Sequence, residues 1–169
     1  VLSLGAKFED SDLTGSSAQP GVRLSYTLDE QNILWGAYSR AHRQASLVEQ
    51  YTKVSYARIY NAGTWLNQSF AGDPSLHDEK MDAFELGWRA RPSEDLLIEF
   101  SLYHYDTKDA IFSGPPQYEP NDVKTTGGEL TFDYRASQVW RLQGGYTFSR
   151  GKKDGARQTD FPETMANLS

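Results

Sequence analysis

The chain has 169 residues and a mass of 19.1 kDa, carries 17 Lys and Arg against 23 Asp and Glu for a formal charge of −6, and contains no Cys. That length suffices for one ordinary domain. The acidic balance argues against a phosphate-tracking nucleic-acid binder, and the lack of Cys excludes a disulfide scaffold, a thiolate zinc site and a cysteine nucleophile. A mean hydropathy of −0.65 and the absence of any run of about 18 apolar residues exclude a helical membrane protein. A membrane β-barrel stays open, because its strands need about 9–11 residues with only every second one apolar. No basic stretch followed by an apolar one stands ahead of Val1, so no secretory leader is expected here.

The dominant period along the chain is two. Leu2, Leu4, Ala6 and Phe8 oppose Ser3, Gly5, Lys7 and Glu9, and Val22, Leu24, Tyr26 and Leu28 oppose Arg23, Ser25 and Thr27. Residues 33–40 are less clean, with apolar residues on both faces, and Tyr51 to Phe70 has the pattern of a short hairpin within a long loop. Phe84, Leu86 and Trp88 then face away from Glu85, Gly87 and Arg89. Leu96, Ile98, Phe100 and Leu102 alternate with Leu97, Glu99, Ser101, Tyr103 and Tyr105. Leu130, Phe132 and Tyr134 oppose Glu129, Thr131, Asp133 and Arg135. Finally Trp140, Leu142, Gly144, Tyr146 and Phe148 oppose Arg141, Gln143, Gly145, Thr147 and Ser149. The pattern predicts an all-β chain, an antiparallel up-and-down meander of about seven or eight strands.

Alternation alone fits either a soluble sandwich with its greasy faces packed inward or a barrel with them turned to lipid. Two features favour the barrel. Connections 28–33, 90–96 and 135–139 are tight, whereas 9–21, 42–80, 106–123 and 150–162 are long and polar, the asymmetry of an outer-membrane barrel. Tyr26, Trp88, Tyr134 and Trp140 cluster on the apolar face near the tight turns, as interfacial rings do, and Phe8, Tyr146 and Phe148 are expected to form a second girdle. On this reading Leu86, Trp88, Ile98, Phe100, Leu130, Phe132 and Leu142 face lipid, and Glu85, Arg89, Glu99, Glu129, Asp133, Arg135 and Arg141 line the lumen.

Three stretches carry a further signal. The first is Leu34-Trp35-Gly36-Ala37-Tyr38-Ser39-Arg40 through Arg43, Ser46 and Glu49. The second is Gly72-Asp73-Pro74-Ser75-Leu76-His77-Asp78-Glu79-Lys80, continuing to Glu85-Leu86-Gly87. The third is Gly127-Gly128-Glu129-Leu130 with Leu142-Gln143-Gly144-Gly145-Tyr146-Thr147. Together they resemble the barrel of TonB-dependent outer-membrane receptors, importers of siderophores, cobalamin and related nutrients: the first is similar to the family's "SR-x-x-R-x-P-S-x-x-E" stretch, with Ala45 where the family has Pro, the second to "G-N-P-x-L-x-x-E-K … E-L-G", and the third to the hairpin that follows. The resemblance implies that residues 1–169 are part of the C-terminal barrel, with the plug domain and the last strands outside this sequence. It implies the outer membrane of a Gram-negative bacterium, contact with bilayer and lipopolysaccharide, a TonB complex reached through the plug, and a small ligand of the metal-chelate kind. In that setting Arg40, Arg43, Tyr51 and Trp65, with Tyr56 and Tyr60 nearby, belong to the longest loop region and are candidate ligand contacts, since Arg and aromatic rings suit an anionic, catecholate-like chelate.

Enzyme chemistry is poorly supported. His42, His77 and His104 have no metal-ligand spacing and read as two loop residues and one interfacial residue, so no metal or other cofactor is expected. Glu85 with Glu99, or Glu129 with Asp133, would matter in a glycosidase, but arginines on the same faces fit charge pairs along a wet wall. The Gly pairs lack a strand-to-helix context for phosphate binding. Asp10, Asp12, Asp106, Asp109, Asp122, Asp154 and Asp160 lack regular calcium-loop spacing and read as solvated loops. A soluble sandwich that binds carbohydrate or protein, and a complete small membrane barrel serving as an anchor, are the alternatives.

Overall fold

A computed structural model describes residues 1–11, 15–114, 117–159 and 162–169; Asp12, Asp160 and the side chain of Tyr56 lie outside the described residues. In chain order the elements are β1 (Leu2–Ser11), β2 (Gly15–Thr27), β3 (Asn32–Arg43), α1 (Leu47–Tyr51), β4 (Lys53–Asn61) and β5 (Thr64–Ala71). There follow β6 (Glu79–Ser93), β7 (Leu96–Gly114), β8 (Gln117–Arg135), β9 (Arg141–Lys153), β10 (Ala156–Arg157) and β11 (Thr164–Leu168). β1, β2, β3, β6, β7, β8, β9 and β11 pair successively and antiparallel, which is the expected meander. The β4–β5 hairpin branches from it, touching β8 through the single parallel pair Ala71–Gln117.

The tight turns are closed by short polar side chains. The Asp29 carboxylate accepts from the Gln31 N–H and the Asn32 side-chain amide, both at 2.8 Å. The Ser137 hydroxyl accepts from the backbone N–H of Val139 and Trp140. At the other rim, Ala62-Gly63 and Asp154-Gly155 turn their hairpins with positive φ at both residues (47° and 85°, 48° and 82°), the geometry that matches strand twist in a two-residue loop.

Register carries the apolar residues onto one continuous face. Tyr26, Leu34, Trp88, Phe100, Leu130 and Tyr146 form one row across six strands, and Leu24, Gly36, Leu86, Leu102, Gly128 and Phe148 the next. Among the described residues nothing packs on it. Leu4 is 72% exposed, Leu86 63% and Leu24 56%, and the buried apolar residues among those described are Ala45, Leu76, Ala83, Ala90 and Ala110. A sandwich would bury these rows against a second sheet, so the exposed rows do not favour the sandwich alternative.

The opposite face is wet and internally paired. Arg89 donates to Glu99 at 2.7 Å, Tyr105 donates to Glu85 at 2.9 Å, and Asp133 accepts from both Arg141 and Gln143. Glu85 and Glu99 are thus engaged with partners across strands, and Asp133 with Arg141. The mixed pattern of residues 33–40 has a local cause. Trp35 lies on this wet face over Gly87, where a Cβ would come within 2.2 Å of its ring, and Arg23 sits 5.2 Å from the ring centroid.

Several connections expected as long loops are strands. β1 and β2 continue to a Ser11–Gly15 pair, β7 and β8 run on to Gly114–Gln117, and β9 reaches Lys153. The ladder satisfies backbone groups whatever the side chains, so polar composition does not end a strand that leaves an apolar layer. Pro20 is tolerated because β2 still lacks β3 as a neighbour there, the β2–β3 ladder starting at Gly21–Ser39. Asp109, with φ of 56°, takes up the register shift between Thr107 and Ala110. Asp106 and Asp122 are therefore strand residues rather than loop acids, and His42 belongs to β3 rather than a loop.

Candidate ligand-binding site at the long-loop rim

The stretch between β3 and β6 is tied down by its own sequence motif. Ser46 caps α1: its hydroxyl accepts from the Glu49 N–H at 3.2 Å while the Glu49 carboxylate accepts from the Ser46 N–H at 2.7 Å, a reciprocal capping box. Arg43 reaches that carboxylate at 3.1 Å and the Glu79 carboxylate at 2.6 Å, and Glu79 also accepts from the Ile111 N–H at 2.6 Å. Gly72 and Asp73 close the loop by donating to Thr52 and Glu49 carbonyls at 2.6 and 2.9 Å. A Cβ on Gly72 would lie 2.6 Å from the Glu49 and Gln50 backbone, so only glycine fits. Ala45, Leu76 and Gln50 are buried in the resulting knot. Burial alone would raise the Glu49 carboxyl, but the Ser46 bonds and Arg43 outweigh it and hold it below its ordinary 4.5.

The knot anchors the β4–β5 hairpin, whose exposed end carries an aromatic and cationic cluster. Tyr60 and Trp65 pair directly across the hairpin with ring centroids 5.1 Å apart, and the Arg58 guanidinium lies 5.3 Å from the Trp65 ring. Phe70 meets Tyr118 edge-on at 4.7 Å, fixing the hairpin base to β8.

The four candidate ligand contacts separate in the structure. Trp65 and Tyr51 are exposed, at 57% and 59%, on the hairpin and at the end of α1. Arg43 is the hub of the knot. Arg40 shares the face of Tyr38 and is held by Asp82 through two bonds of 2.8 Å, with the Tyr38 hydroxyl on the same carboxylate at 2.7 Å. Arg58 escaped sequence reasoning; the signal was its place two residues before Tyr60, on the same side of a strand. Arg135 pairs directly with Arg141 in the ladder at the tight-turn rim, and Glu129 sits opposite Ser101 and Thr147 on the wet face. Among the described residues no group of three His, Asp or Glu is arranged to hold a metal.

A family model described as "TonB dependent receptor-like, beta-barrel" matches residues 1–169. The chain belongs to the TonB-dependent receptor family. Its members are transporters, not enzymes. The fold is shared with the siderophore receptor PirA from Acinetobacter baumannii (18% identity, TM-score 0.69, 88% of this chain and 25% of that one). It is shared equally with a ferric enterobactin receptor (PfeA) mutant from Pseudomonas aeruginosa (20%, 0.70, 88% and 24%) and with the copper transporter OprC (18%, 0.64, 90% and 24%). The TonB-dependent receptor segment thus spans about a quarter of the length of these structures. No curated protein matches it.

Proposed function

We propose that this segment is part of the barrel wall of an outer-membrane importer of a siderophore or similar metal chelate, in a Gram-negative bacterium. The observation that carries the reading is the family match over residues 1–169. The uncovered apolar face supports it, since in water such an expanse would drive association, whereas in a bilayer it is solvated by lipid. On this reading Leu86, Trp88, Ile98, Phe100, Leu130, Phe132 and Leu142 meet acyl chains. Glu85, Arg89, Glu99, Glu129, Asp133, Arg135 and Arg141 line a lumen occupied by a plug domain contributed by the rest of the receptor.

The long-loop hairpin is the capture surface. Trp65, Tyr60 and Tyr51 offer ring faces and Arg58 a guanidinium, a set that suits a planar anionic chelate of the catecholate kind. Arg43 shapes the loop, and Arg40 the rim. Capture at the loops precedes plug rearrangement driven by the inner-membrane TonB complex, which supplies the energy that a β-barrel lacks.

The test is uptake of a radiolabelled ferric catecholate chelate by cells carrying the full-length receptor. Trp65→Ala with Arg58→Ala should weaken half-saturation about tenfold, as loss of a stacked ring and its cation would. Uptake should vanish without TonB. Unchanged half-saturation would remove the hairpin from the ligand site.

A further inference from the structure

At the long-loop rim the knot and the β2 strand together enclose a cavity of about 310 Å³, at the small end of the roughly 300–1,000 Å³ typical of small-molecule sites. It lies beyond the apolar rows. His42 on its wall pairs with Lys80 and stands four residues, about 13 Å, along β3 from the Tyr38–Phe84 pair. Two of its side chains have buried polar atoms that no described protein group bonds, Asp78 Oδ1 and His42 Nδ1, and Asp78 is only 9% exposed. Carboxylates elsewhere in the knot are engaged: Glu49 and Glu79 share Arg43, and Asp73 accepts from the Ser75 N–H and hydroxyl at 2.8 and 2.6 Å. A buried carboxylate oxygen without a donor is costly, so this cavity suits a guest that supplies hydrogen-bond donors.

The charges on the walls narrow the guest. Lys80 opposes a cation and Asp78 opposes an anion, so a neutral molecule fits best. Gln50, 5% exposed, and Ser17 add groups that both donate and accept. Tyr51 and Pro74, both exposed, and the buried Leu76 add apolar surface. An uncharged guest that donates and accepts several hydrogen bonds and also has a C–H face is a sugar ring. We infer that this cavity binds one neutral hexopyranose, with hydroxyls donating to Asp78 and His42 and accepting from Lys80 and Gln50, and a C–H face against Tyr51. The inference goes beyond the importer reading and does not depend on the role of the β4–β5 hairpin.

The experiment uses the full-length receptor in nanodiscs of phospholipid alone, so that no glycolipid or glycoside detergent competes. Saturation-transfer difference NMR follows glucose, galactose, mannose and N-acetylglucosamine. At least one should bind with a Kd of about a millimolar, the scale for a ligand of about a dozen heavy atoms. Glucuronate and glucosamine, which carry a charge, should bind more weakly than the matching neutral sugar. Asp78→Asn keeps the shape and should weaken the sugar at least about tenfold, as loss of hydrogen bonds to a charged group does. Ser17→Phe fills the cavity from β2, outside the knot, and should abolish binding, while Glu94→Gln at the tight-turn rim should leave it intact. Hydrogen exchange in α1 reports whether the knot stays formed in Asp78→Asn, and if it does not, Ser17→Phe decides. No binding by any of the four sugars, equal binding by wild type and Ser17→Phe, or tighter binding of glucuronate or glucosamine than of the neutral sugar would overturn the site.

Discussion

Arg43 shows how one side chain ties the stretch between β3 and β6 in place. It bridges Glu49, which caps α1, and Glu79, which starts β6, so removing it leaves two partly buried carboxylates with one partner fewer each. Arg43→Ala should lower the local stability of the 44–78 stretch by about 1 kcal/mol, the scale of a half-exposed charged pair, while the rest of the sheet is unaffected. Hydrogen exchange in residues 44–72 and the rate of proteolytic nicking in the hairpin would report it. The same assay has a pH signature. The folded Glu49 carboxyl sits below its ordinary 4.5, so its stabilisation is complete above about that value and is lost as pH falls through the folded value. Protection of α1 should therefore drop on acidification in wild type and change little in the Arg43→Ala, Glu49→Gln double variant. Protection that is flat with pH in wild type would remove Glu49 from the anchor.

At the scale of the strand, the two faces should respond to charge in opposite ways. Leu130→Arg places a guanidinium in the middle of the apolar rows and should cost about 2–4 kcal/mol of barrel stability in a bilayer, whereas Glu129→Arg, one residue away on the wet face, should cost little. Urea unfolding of the full receptor in vesicles separates these, and equal costs would mean that the faces are not differently solvated. This alternation was legible in the sequence wherever apolar residues recur every second position, as in 84–88, 96–102 and 130–134. It was obscured in residues 33–40, because Trp35 packs on the wet face over Gly87, a pairing between residues 52 positions apart that no local pattern reveals. The lengths of β1, β2, β7, β8 and β9 were underestimated for a related reason. Beyond the apolar layer both faces are polar, so the strand continues without a periodic signal and only its hydrogen-bond ladder defines it. The knot is half legible: the motif residues Arg43, Ser46, Glu49, Gly72 and Glu79 stand out in the sequence, but their convergence on one another depends on tertiary contacts.

Across the described residues, one sheet with no second layer, a branching hairpin at one rim and tight turns at the other account for both the composition and the family match. Charge is divided by face: pairs on the wet face and bare hydrocarbon in the middle of the other. The central claim is that the apolar rows meet lipid. Because this segment has no Cys of its own, single cysteines at 85, 86, 129, 130, 142 and 143 can be spin-labelled in an otherwise cysteine-free full-length receptor in vesicles. Relaxation by oxygen, which partitions into lipid, is then compared with relaxation by a water-soluble nickel complex. The account predicts oxygen-dominated relaxation at 86, 130 and 142 and nickel-dominated relaxation at 85, 129 and 143. The inverse pattern, or no alternation between adjacent positions, would contradict it.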